Sequence, residues 1–259
     1  MATNGPVLVT GGTGMLGRAV VAELVGRGLP ARVLSRRPGV DEPAGVERVV
    51  GDLTTGAGLD AAVDGVTAVI HCASAPGSPQ EDVVAAGRLL LAARQAGVPH
   101  LVYISIVGVD AIPYSYYRAK LEVEELIAAS DVPWTILRTT QFHQFVPPLL
   151  QRLTVGGVTI VPSATSVQPV DVGEVAARLV DLATGEPAGR VRDVGGPQVL
   201  TVDEAIKMLD AARGEHRRTV HVRLPGKSFA AIRAGHHLTP DHATGTRTFA
   251  EAVTDEAPA

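Results

Sequence analysis

Tyr116 and Lys120 stand four residues apart in the stretch Ser115-Tyr116-Tyr117-Arg118-Ala119-Lys120. In a helix that spacing puts both side chains on one face. A phenol has an ordinary pKa of about 10, too high to cycle easily near neutrality. An ammonium beside it favours the phenolate, so the pair is expected to give and take a proton at a lowered pKa. Tyr114 and Tyr117 are close by, but only Tyr116 precedes Lys120 by four. Upstream, Ser105 follows the apolar run 101–104, and its hydroxyl could donate to an oxygen on which charge develops.

The second chemical feature is Thr10-Gly11-Gly12-Thr13-Gly14-Met15-Leu16-Gly17. The short apolar run before it reads as a buried strand. A periodic apolar pattern after it reads as a helix. Glycine takes positive φ and lets backbone approach a ligand closely. The helix points its free N–H groups and the positive end of its dipole at the turn, where a pyrophosphate fits. The spacing Gly11-x-x-Gly14-x-x-Gly17 differs by one residue from the dinucleotide fingerprint. Thr13, Met15 and Leu16 belong to the same expected cradle.

These residues need a frame, and the rest of the chain supplies one. Strands are expected at 31–35, 46–50, 66–71, 101–104 and 134–138, and helices at 80–96, from near Ser115, and at 172–183. Gly97 and Pro99 stop the first of these helices. Alternating strands and helices mean right-handed βαβ units and a parallel sheet, with ligands beyond the carboxyl ends of the strands. Thr10, Ser35, Asp52, Cys72 and Ser105 all fall at such ends. The expected fold is therefore α/β, a Rossmann-type doubly wound parallel sheet with a small C-terminal substrate lobe. Residues 1–140 are expected to form the dinucleotide-binding core. Residues 141–259 form mainly the substrate lobe, with 165–200 returning to the core.

At the end of the second strand an NAD enzyme usually carries an acid for the ribose 2′-hydroxyl. Here Ser35 is followed by Arg36 and Arg37, whose forked donors suit a phosphate. NADP is thus expected over NAD. Asp52 and Leu53 are candidates for the adenine end. The small residues Cys72, Ala73 and Ser74 leave room for the cofactor. Thr139, Gln141 and Phe142 follow the sixth strand and are placed beside it. Phe142, Phe145, Val146 and Leu149 lie in a segment with little to hydrogen-bond and form the expected apolar wall for substrate. Residues 201–212 carry a capping box from Thr201 to Glu204. Residues 191–195 are expected to rejoin the sheet, 220–224 and 225–234 to close the lobe, and 254–259 to form a disordered tail.

The chain has 259 residues, 46% of them hydrophobic, enough for a sizeable core, and a net charge of −4 with no dominant basic tract. Nucleic acid is not expected as a partner. The one cysteine, Cys72, excludes an internal disulfide and a cysteine metal cluster, and His236, His237 and His242 match no metal motif. No apolar run is long enough to span a bilayer and no secretory signal is visible. The expectation is a cytoplasmic protein, monomer or homodimer, that binds a small molecule and neither metal nor membrane.

Taken together, the glycine turn, Ser105 on the fifth strand and Tyr116-x-x-x-Lys120 on the next helix resemble the short-chain dehydrogenase/reductase superfamily. The form of the turn looks like its extended and atypical branches, including the NmrA-like NAD(P)-binding proteins. Gln168-Pro169-Val170-Asp171-Val172 and Asp193-Val194-Gly195-Gly196-Pro197 are also similar to those branches, so the resemblance runs from residue 5 to about 212. It implies an NADP-dependent oxidoreductase acting on a carbonyl or quinone-like, mostly apolar molecule. Tyr116 would be the general acid/base, Lys120 its tuner and ribose ligand, and Ser105 the polariser of the carbonyl. Two other readings are a non-catalytic NADP-binding redox sensor and an epimerase or dehydratase that recycles a bound cofactor.

Overall fold

The computed structural model describes residues 5–38, 43–75 and 77–255. Its first strand, β1 (Val7–Thr10), is buried at every position, as a strand covered on both faces must be. The glycine turn leads into α1 (Met15–Gly26). The alternation continues through β2 (Ala31–Ser35), β3 (Val46–Val50), α2 (Leu59–Val63) and β4 (Ala68–His71). It runs on through α3 (Pro79–Gln95), β5 (Leu101–Ile106), α4 (Ser115–Ala128) and β6 (Trp134–Thr139). A two-residue strand, Gly189–Arg190, pairs parallel with β6 and makes seven strands in all.

From one edge to the other the sheet runs Gly189–Arg190, β6, β5, β4, β1, β2, β3. The chain winds outward from β1 in both directions, so the order reverses between β1 and β4. In such sheets the ligand crevice opens at that reversal, beyond the carboxyl ends of the strands. The fold is the Rossmann-type α/β architecture expected.

The chain divides into two units. The first holds the chain up to Ser105, Ser115–Leu137 and Gly173–Val191, and it contains the sheet except for the last residues of β5 and β6. Its core is aliphatic around one buried aromatic: Leu8, Val69, Leu89, Leu101, Val123 and Ile127 pack with Tyr103. Each such side chain contributes about 1.5–3 kcal/mol by leaving water. α3 ends at Gly97, whose φ of +64° suits glycine alone without strain.

The second unit takes Ile106–Tyr114, Arg138–Val172 and the chain from Arg192. A short three-stranded sheet of Thr154–Val155, Val158–Pro162 and Arg218–Val222 lies in it, with helices Val146–Arg152, Val202–Arg213 and Phe249–Asp255. Val146, Leu150, Val161, Leu209 and Phe249 meet in its core. The capping box at Thr201 and Glu204 is formed in both directions. Gln168, fully buried, ties the unit together. Its Nε2 donates to the carbonyls of Gly196 (2.9 Å) and Thr239 (3.2 Å), and its Oε1 accepts from the Thr239 N–H (2.7 Å).

Several boundaries differ from the sequence reading. The return to the sheet begins at Gly189–Arg190, just ahead of the expected 191–195, and runs on along β6, where the Val191 N–H donates to the Ile136 carbonyl (3.1 Å) and Val194 bridges Thr139, before Gly195 bridges to Ala243. Residues 106–114 belong to the second unit, although they follow β5 directly. Thr254 and Asp255 close a helix instead of opening a tail, since Phe249, Ala252 and Val253 bury its apolar side. The remaining tail residues lie outside the described chain.

Candidate functional site

The glycine turn is shaped by contacts with its neighbours. Gly11 has φ +70°, and a side chain there would run into the backbone of Cys72 and Ala73, with Ala73 N only 2.6 Å away. A side chain on Gly12 would meet Val33 at 2.7 Å, and one on Gly17 would collide with the Gly11 carbonyl oxygen. Gly14 is different. Its N–H donates to the Gly11 carbonyl (2.9 Å), yet an added Cβ would meet only that oxygen, at 3.2 Å, and otherwise open space. α1 therefore starts with no side-chain cap and no acid in its first turn. Its free amides and this open face fit an anionic group approaching the backbone. Arg18 braces the turn by donating to the Thr13 carbonyl (2.8 Å), a residue the sequence reading did not single out.

At the end of β2, the Ser35 hydroxyl accepts from the Arg37 N–H (3.3 Å), and Arg36 and Arg37 are exposed. Among the described residues that follow β2, Arg36 to Pro38, there is no acid. Asp52 sits in a turn where one oxygen accepts from the Thr54 N–H (2.8 Å) and hydroxyl (2.6 Å). Those bonds, chiefly the hydroxyl, hold its carboxyl below the usual range, and Arg36 adds to the effect. Leu53 packs against the core of the first unit.

Cys72, Ala73 and Ser74 continue from β4. Burial pushes the Cys72 thiol up to about 12, which rules out a ready thiolate. Beneath them lies a pair that sequence reasoning missed. Thr10 and His71 are register partners on β1 and β4, and the Thr10 hydroxyl lies 2.6 Å from His71 Nδ1. Burial drives the His71 imidazole down to about 3, with Lys120 adding to the fall, so the ring is neutral. His71 stacks on Tyr103, with ring centroids 5.4 Å apart.

Lys120 comes from the buried side of α4 and is 3% exposed. Its ammonium lies 4.9 Å from the centre of the Tyr103 ring and 5.8 Å from that of Tyr116. Burial lowers its pKa, while Asp82, Cys72 and Glu124 work against the fall. Tyr103 was legible in retrospect: it lies two residues before Ser105 on β5, so both share a face of the strand. Ser105 is 1% exposed and its hydroxyl has no hydrogen-bond partner among the described residues.

The Tyr116 hydroxyl lies 2.8 Å from that of Ser74, not against Ser105. The expected lowering of its pKa by Lys120 is overturned. Burial raises the phenol, the bond with Ser74 offsets part of the rise, and the Asp82 charge adds to it. The reason is positional: the ammonium faces the ring, while the hydroxyl end meets Ser74 and, behind it, Asp82.

The remaining candidates belong to the second unit. Thr139 is buried at the end of β6. The Gln141 side chain is engaged by the unit itself, donating to the His237 carbonyl (3.3 Å) and accepting from the Gln168 N–H (3.2 Å). Phe142 and Leu149 are half-buried and Phe145 is exposed. Val146, expected in the substrate wall, is instead 2% exposed and packed in the unit's core, because it opens a helix whose inner face carries Val146 and Leu150. The two family-like segments pack on each other: a side chain on Gly195 would meet Gln168 at 2.5 Å, and one on Gly196 would strike the Pro169 carbonyl.

Residues 11–182 match a family described as NAD(P)H-binding. A (4-alkanoyl-5-oxo-2,5-dihydrofuran-3-yl)methyl phosphate reductase of Streptomyces griseus is 35% identical over 218 residues, covering 82% of this chain and 75% of the relative. An NAD(P)H azoreductase of Xenophilus azovorans is 30% identical over 225 residues, covering 84% and 77%. A triphenylmethane reductase of Citrobacter sp., solved with NADP(H), shares the fold at a TM-score of 0.77, with 22% identity, 98% of this chain and 100% of that one covered. No helix among the described residues is long and apolar enough to cross a membrane. With its glycine turn, uncapped α1 and reversal between β1 and β4, the chain belongs to the NAD(P)H-binding family that its residues match, on a Rossmann-type fold.

Proposed function

We propose that this chain, an NAD(P)-dependent oxidoreductase, reduces a carbonyl or quinone-like, mostly apolar molecule with NADPH, and that Tyr116 supplies the proton. The observation that carries the reading is the cluster at the sheet's carboxyl end: a neutral Tyr116 phenol, a buried Lys120 beside it and an unpartnered Ser105 hydroxyl. Bound NADPH supplies a hydride. The chain's part is to hold, orient and protonate.

The amides around Gly14, Met15 and Leu16 take the pyrophosphate, with Gly11 and Gly17 keeping turn and helix in register and Thr13 at the rim. Arg36 and Arg37 take the 2′-phosphate, Ser35 standing where an acid would repel it. Asp52 and Leu53 flank the adenine, and Cys72, Ala73 and Ser74 leave the space between. Lys120 binds the nicotinamide ribose hydroxyls. The Ser105 hydroxyl donates to the substrate oxygen, and Tyr116 then gives that oxygen its proton. Thr139, Gln141 and Phe142 are assigned to the cofactor's nicotinamide end, and Phe142, Phe145 and Leu149 to the substrate's apolar body. The cytoplasm is the proposed compartment, as monomer or homodimer.

Two of the reductases among the relatives act, by their names, on an oxo-dihydrofuran and an azo compound. That supports a conjugated acceptor here and disfavours both the silent sensor and the cofactor-recycling epimerase. The test is NADPH oxidation by the purified chain against quinones, enones, simple ketones and a sugar nucleotide. Turnover is expected with quinones or enones, faster with NADPH than NADH. No oxidation with any of these acceptors contradicts the reading.

A further inference from the structure

Asp82 is a buried carboxylate to which the reading above gives no task. It lies in the first turns of α3, 7% exposed. One oxygen accepts from the Ala75 N–H (2.5 Å) and the other from the Ser74 hydroxyl (2.9 Å). We propose that Asp82, acting through Ser74, is the positioning residue that fixes which way the Tyr116 hydroxyl donates and so holds it as a proton donor.

The argument is a count of hydrogens. A serine hydroxyl has one proton and acceptor lone pairs. Ser74 gives its proton to the Asp82 carboxylate, which as an ion can only accept. The Ser74 oxygen, 2.8 Å from the Tyr116 oxygen, is then an acceptor, so Tyr116 must donate. The order is Tyr116 to Ser74 to Asp82. A carboxylate placed only to favour a helix N-terminus would need the Ala75 contact and nothing more. Here its second oxygen continues into the proposed donor.

The groups facing Tyr116 come from four directions: Asp82 from α3, Ser74 beyond β4, Tyr103 from β5, and Lys120 with Tyr117 from α4. Asp82 is the charge among them that opposes the phenolate, whereas the Ser74 bond favours it. Ser74 can serve the phenolate only by turning its proton away from Asp82. The two therefore compete, and the carboxylate biases the competition toward the neutral phenol. When Tyr116 gives its proton to substrate, its O–H bond breaks and the substrate O–H forms. Ser74 swings its hydrogen bond to the phenolate, and Asp82 keeps its Ala75 partner. No proton leaves Ser74 or Asp82.

Replacing the carboxylate by an amide removes the bias, since an amide can donate to Ser74 and free its proton for Tyr116. The inference rests on the reading of Tyr116 as the acid, so its test includes a readout without substrate. Tyrosinate absorbance is titrated in the cofactor-free chain, with Tyr116→Phe subtracted to isolate Tyr116. Asp82→Asn is expected to move that titration down by about one unit, and Ser74→Ala, which removes the hydroxyl the phenolate turns to, to move it up. A merely structural loop clamp would send both variants down, toward an ordinary tyrosine. The alkaline limb of the reduction rate should follow the same shifts, with kcat changing more than KM for NADPH. An unmoved titration in Asp82→Asn, or a downward one in Ser74→Ala, overturns the inference. Shifted titrations with a pH–rate profile that ignores them overturn the catalytic role of Tyr116 instead.

Discussion

Gly17 and Gly11 touch so closely that the first turn of α1 rests on the Gly11 carbonyl, leaving no room for a Cβ on Gly17. Gly14, between them, is less confined, since an added Cβ would meet only that oxygen, at 3.2 Å. The two positions should therefore respond differently. Gly17→Ala must push backbone against backbone and is expected to cost roughly 3 kcal/mol, at the upper end for overpacking. Gly14→Ala should unfold near the parent temperature but bind NADPH at least about tenfold more weakly, ~1.4 kcal/mol. Thermal unfolding and cofactor titration of the two variants check this.

Arg36 and Arg37 are exposed at the end of β2, with no acid among the described residues that follow the strand. Charge-assisted hydrogen bonds to a phosphate are worth about 1.5–3 kcal/mol. Replacing both by alanine should weaken NADPH roughly a hundredfold, ~2.7 kcal/mol, and leave NADH nearly unchanged. Equal losses for the two cofactors in a fluorescence titration would remove the assignment of the 2′-phosphate to these residues.

How much of this was legible in the sequence depends on what signal each part leaves. The glycine turn and the Thr201–Glu204 capping box are local patterns, and each stands where it was expected, whereas β5 runs on to Ile106 and so takes Ser105 into the strand. The hairpin between Val155 and Val158 was also local. Its Gly156-Gly157 turn, with both φ positive, is a recognisable signal that went unread. The His71–Thr10 pair and the Ser74–Asp82 contact are another matter. Both join residues brought together by strand register or loop path, and Asp82 alone looks like an ordinary helix-start acid. The rise of the Tyr116 pKa could not be read from spacing either. Helix periodicity puts Lys120 on the right face, but only the packing tells ring from hydroxyl.

His71 makes the fold sensitive to acid. Its folded pKa of about 3 lies below the ordinary 6.5. A lowered histidine leaves stability intact above 6.5, erodes it as the unfolded chain gains the proton first, and ends at the folded pKa. The slope is about 1.4 kcal/mol per pH unit within that window. His100 and His237 are lowered by burial too and act in the same sense. Between pH 7 and 5, His71→Asn should lose less unfolding temperature than the parent. Parallel losses would count against the neutral, buried imidazole.

Gln168 holds three backbone groups of the second unit with one side chain. Gln168→Leu keeps the volume but strands the Thr239 N–H and the Gly196 carbonyl, while the Thr239 carbonyl keeps the His242 N–H (3.0 Å). Each unsatisfied buried group costs about 1–3 kcal/mol, so the variant should lose roughly 3 kcal/mol or more in denaturant unfolding. A loss under about 1 kcal/mol would mean that Gln168 is not the tie it looks to be.

The central claim is that Tyr116 gives the proton in an NADPH-dependent reduction. Tyr116→Phe keeps the ring over Lys120 and removes only the hydroxyl. NADPH affinity and turnover with the best quinone or enone are to be measured side by side for the parent and this variant. The account predicts an affinity within about twofold of the parent and a turnover lower by roughly 10² to 10⁴, the loss typical of a missing general acid. A parent that turns over, matched by Tyr116→Phe, would contradict it.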